Sequence, residues 1–79
     1  FNQIRQYGRD SVPVSIRMLE SLATIATFAT REEDLVAISH HAEMIIHGCE
    51  ATFGEAADRV AARRLYERVQ EIVEQQRGA

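Results

Sequence analysis

Between Val12 and Ala29 the chain carries two apolar stripes side by side at helical spacing. Val12, Ile16, Leu19, Ala23 and Ala26 form one; Met18, Leu22, Ile25 and Ala29 form the other. Residues three and four apart share a helix face. A helix over this stretch therefore presents an apolar surface too wide for a single neighbour to cover. The segment reads as the central helix of a bundle, approached from more than one direction. Nothing elsewhere competes with helix. Proline occurs once, at Pro13, and glycine at Gly8, Gly48, Gly54 and Gly78. There is no period-two alternation of Val, Ile and Thr, and no Asn-Gly or Asp-Gly dipeptide marks a hairpin.

Boundaries follow from the punctuation. Phe1, Ile4 and Tyr7 stand three apart and predict a short leading helix that Gly8 stops. Asp10 or Ser11 then caps a helix from about Val12 to Phe28, with Pro13 in the first turn, where its missing N–H costs nothing. Thr30-Arg31-Glu32-Glu33 reads as a capping box, and Glu32, Glu33 and Asp34 suit the positive end of the helix dipole. The helix it opens carries Leu35, Ile38, Ala42, Ile45, Cys49 and Phe53 as its core stripe. Gly48 inside it marks a place where another helix crosses closely. Gly54 ends that helix. The last one is expected from about Ala57 to Gln76, with Val60 or Ala61, Leu65, Val69, Ile72 and Val73 facing inward. Glu55 with Arg59 and Arg63 with Glu67 are spaced as i,i+4 ion pairs. Short loops make consecutive helices antiparallel. The expected fold is all-α: an antiparallel three-helix bundle with a short leading helix, in a single domain.

Size and charge exclude several classes. A chain of 79 residues makes one domain and buries only about 60% of its unfolded surface. Cys49 is the only cysteine, so no internal disulfide compensates, and a lone thiol fits a reducing compartment. Association is the natural remaining source of stability. The net charge of −3, from nine basic residues (all Arg) and twelve acidic ones, excludes general nucleic-acid affinity. No apolar run approaches the roughly 18–20 residues that span a bilayer. The chain opens on Phe1 rather than Met, which predicts a segment of a longer protein.

Three groups of residues are candidate sites. His40, Glu43 and His47 lie within an arc of about 80°, with Glu50 one step further. Two imidazoles and a carboxylate are adequate zinc ligands. That arc nevertheless lies about 140° from the core stripe, so the groups are expected in water, with no neighbours to orient them. Arg59, Arg63, Arg64 and Arg68 concentrate positive charge on the last helix. Glu55, Asp58, Glu67 and Glu71 are interleaved with them, which makes a mixed solvent face rather than a lipid-binding one. Arg5 and Arg9 flank Tyr7 beside Gln3 and Gln6, a mixture suited to docking or to gripping a partner. No nucleophile is placed: Cys49 lies on the core stripe, and Ser11, Ser15, Ser21 and Ser39 have no placed base and are explained by local capping or solvent exposure. No catalytic residue and no cofactor is expected.

The opening segment also carries a likeness. Phe1, Gln3, Ile4, Arg5, Gln6 and Tyr7 fit a Phe-x-Gln-Ile-Arg-Gln-Tyr stretch. Val14, Ile16, Arg17, Leu19, Glu20, Leu22 and Ala23 follow as a Val-x-Ile-Arg-x-Leu-Glu-x-Leu-Ala helix. In these motifs the chain resembles the C-terminal region of an uncharacterised bacterial family of predicted membrane proteins. The match covers about the first 26 residues and is loose beyond Thr30, apart from the stretch His41 to Ile45. Pro13 departs from the pattern at a position where variation does little harm. The resemblance implies several transmembrane helices upstream, a soluble domain here, and a place at the cytoplasmic face of the bacterial inner membrane. It implies no activity. The expectation is a non-catalytic assembly or regulatory domain. It packs against the remainder of its own chain or against a second copy as a homodimer, and membrane association comes through the upstream segment. Phe1, Arg5, Tyr7 and Arg9 are the expected contacts. Arg17 and Glu20 are either polar anchors at the junction or an i,i+3 pair. The alternative is a small ligand- or metal-sensing domain using the His40/Glu43/His47 face.

Overall fold

Three helices account for nearly all of the chain. The computed structural model describes the backbone of residues 2–78 and the side chains of residues 11–78. Helix α1 runs Asn2–Phe28, α2 Glu32–Thr52 and α3 Ala56–Gly78, and no strand occurs among the described residues. The short connections at 29–31 and 53–55 fold each helix back along the one before it. Every helix touches the other two, and α1 lies more extensively on α3 than on α2.

One apolar core joins them. From α1 it takes Leu19, Leu22 and Ala26, with Ala29 just past the helix end. From α2 come Leu35, Ile38, Ala42, Ile46 and Cys49, followed by Phe53, and from α3 Ala62, Val69, Ile72 and Val73. Ala26, Ala42 and Ala62 are completely buried. One methyl at each of these points lets the backbones approach closely, and the larger Leu19, Leu35, Ile46, Val69 and Val73 fill the layers between. Val12, Ile16, Ala23, Ile45, Leu65 and Tyr66 close the core edges half-buried. No polar or charged residue among those described is buried.

The structure corrects several expectations. The leading helix is not separate, because α1 continues through Gly8 and Pro13. Pro13 is exposed, so the carbonyl that its missing N–H deprives of a hydrogen bond faces the water side of the helix. The capping box does not form. Arg31 is the N-cap of α2 with no side-chain cap bond, and its carbonyl accepts the N–H groups of Asp34 and Leu35. Glu33 pairs with the Arg31 guanidinium instead of reaching back to the backbone. On α2, Ile46 rather than Ile45 is fully buried. On α3, Ala62 takes the inward place expected of Val60 or Ala61, and Val60 is 51% exposed. The i,i+4 pairs on α3 give way to contacts across the bundle. Arg59 donates to the carbonyl of Phe53 at 2.7 Å, and Arg63 reaches Glu50 of α2 at 2.6 Å. Gly48 is no crossing point, since a Cβ placed there meets nothing within 4 Å.

Polar side chains tie the helix ends. The Gln76 amide of α3 donates to the carbonyls of Ala26, Thr27 and Ala29 at 3.2, 2.8 and 3.1 Å. The last carbonyls of a helix lack internal partners, and here another helix supplies the donor. Next to it, Arg77 pairs with Glu32 at the start of α2 and with Glu74. Midway along, the Ser39 hydroxyl donates to Gln70 at 2.7 Å, and the Gln70 amide returns a bond to the Ser39 carbonyl at 3.3 Å.

Two substitutions separate these effects. Gln76→Ala strands the end of α1 and is expected to destabilise the bundle by about 1–2 kcal/mol in chemical denaturation. Gly48→Ala, in an open helix interior, is expected to stabilise it by about 0.5–1 kcal/mol.

Candidate functional site

Of the two stripes on α1, the core takes all of one and only part of the other. Leu22 and Ala29 are buried, but Met18 is 40% exposed and Ile25 53%. Val14, at 57%, and Phe28, at 79%, extend the same uncovered line. Positions 14, 18, 21, 25 and 28 alternate steps of four and three, the spacing of a coiled-coil seam. They fall within an arc of about 80°. Ser21 is the small residue at its middle.

Helix α2 borders this stripe without covering it, so a shallow groove runs between the two helices. One part, of about 500 Å³, is lined by Val14, Met18, Leu22 and Ile25, with Arg17 and His41 at its edge. The other, of about 470 Å³, is lined by Ile25, Phe28 and Ala29 together with Ala37, Ile38 and Asp34. Ile25 belongs to both, so they form one continuous trough. Arg17 flanks the first part on the side of α1 away from α2, His41 borders that part from α2, and Asp34 borders the second part. Met44 continues the α2 side, 62% exposed. Small residues leave the gap: neither Ser21 on α1 nor Ala37 on α2 reaches across.

The other candidate residues are dispersed. His40, Glu43 and His47 are exposed on the outer side of α2, and no group of three or more His, Cys, Asp or Glu among the described residues converges to hold a metal ion. His41, which the sequence reading passed over, lines the groove instead. The 3–4–3 spacing of Asp34, Ala37, His41 and Met44 was the signal for it. Arg17 and Glu20 are both exposed; Arg17 borders the groove, and no ion pair joins the two. Phe1 lies outside the described residues, and of Arg5, Tyr7 and Arg9 only the backbone, within α1, is described. Two of the four clustered arginines on α3 are engaged. Arg59 holds the Phe53 carbonyl, and Arg63 holds Glu50 while its guanidinium lies 5.2 Å over the Tyr66 ring. That surface is a mixed-charge edge of the bundle.

Cys49 is buried. Burial pushes its thiol above the ordinary cysteine range, and a hydrogen bond with Ser15 of α1 pulls back in the opposite direction by less. The thiol is therefore a packing group that stays protonated. A thiol-specific reagent at neutral pH is expected to label it at least tenfold more slowly in the folded chain than in denaturant. Equal rates in the two states would place it at the surface.

Among the described residues, no helix is long and apolar enough to cross a membrane. The chain matches no family model, and neither a curated protein nor a solved structure shows significant similarity to it.

Proposed function

We propose that this bundle is a non-catalytic assembly module that works through its uncovered α1 stripe. One observation carries the reading: four large apolar side chains, Val14, Met18, Ile25 and Phe28, stay exposed in a single coiled-coil register beside an apolar trough. Scattered surface hydrophobes are ordinary, whereas a contiguous apolar strip rimmed by polar groups marks an interaction surface. Its heptad spacing suits a helix as the occupant. The helix belongs to the remainder of a longer chain or to a second copy.

The resemblance of the first 26 or so residues fits the same reading. A soluble domain that follows membrane helices, at the cytoplasmic face of a bacterial inner membrane, is well placed to hold subunits together. Regulation then acts by making or breaking that contact.

Light scattering over a dilution series tests the assembly role. The wild-type chain is expected to be heavier than a monomer at high concentration. Met18→Glu combined with Ile25→Glu is expected to hold it monomeric with unchanged far-UV circular dichroism, since both residues lie outside the core. A wild type that stays monomeric at about millimolar concentration removes the second copy as occupant and leaves the remainder of a longer chain; association that survives both substitutions overturns the reading.

A further inference from the structure

We draw no further inference here: the strongest candidate, the apolar trough between α1 and α2 bordered by Val14, Met18, Ile25 and Phe28, belongs to the surface already described, and nothing in the structure shows what covers it.

Discussion

Everything in this bundle depends on how much of α1 two neighbouring helices can cover. Counting from Phe28 round to Ile16, the apolar arc of α1 spans about 240°. A helix packed at about 8–10 Å covers only part of such an arc. Helix α3 takes the side of Ile16 and Ala23, and α2 takes the side of Leu22 and Ala29. The uncovered remainder is the stripe from Val14 to Phe28. Alanine sharpens the effect. Ala26, Ala42 and Ala62 draw the helix axes together at the centre, so the core is narrow and the outer flank of α1 lies beyond its reach. None of the three described helices closes that flank, and apolar surface left in water is stability not yet gained.

The geometry of the trough depends in turn on polar ties at the helix ends. The end of α1, the start of α2 and the end of α3 meet at one end of the bundle. There Gln76 holds the α1 carbonyls and Arg77 holds Glu32. Phe28 and Asp34, which shape that end of the trough, are fixed by this cluster although neither belongs to it. At the opposite end Arg59 satisfies the Phe53 carbonyl and Arg63 crosses to Glu50. These bonds are exposed or half-exposed, and each contributes little alone. Their joint effect is to fix where α2 lies along α1, and therefore which residues face each other across the groove.

The class of fold was legible because helix periodicity is a local property. The apolar positions of all three helices, and the loops between them, are written in spacings of three and four. The errors have local causes too. Gly8 and Pro13 signal a break, but α1 runs through both, and a proline on the water side of a helix is tolerated. Thr30 has the chemistry of an N-cap, yet α2 begins two residues later, at Glu32, because the turn carries the chain past it. The contacts of Gln76 lie 47 to 50 residues away in sequence, and no pattern reveals a partner at that range. The double stripe on α1 announced a face wider than its neighbours. The sequence alone did not say which half stays uncovered, because that is decided by where α2 and α3 settle. His41 and Asp34 acquire their places on the groove only through that same packing.

An exposed apolar strip on a small bundle invites uncontrolled association unless something limits it. Here the limits are geometric. The outer faces of α2 and α3 are charged, with His40, Glu43 and His47 on one and interleaved arginines and acids on the other. Val36 and Val60 are exposed there singly. Among the described residues, only the stripe from Val14 to Phe28 sets four large exposed apolar side chains in one register. In a sequence with so little core to spend, the large apolar side chains that α1 leaves uncovered fall in one register rather than scattered over its surface.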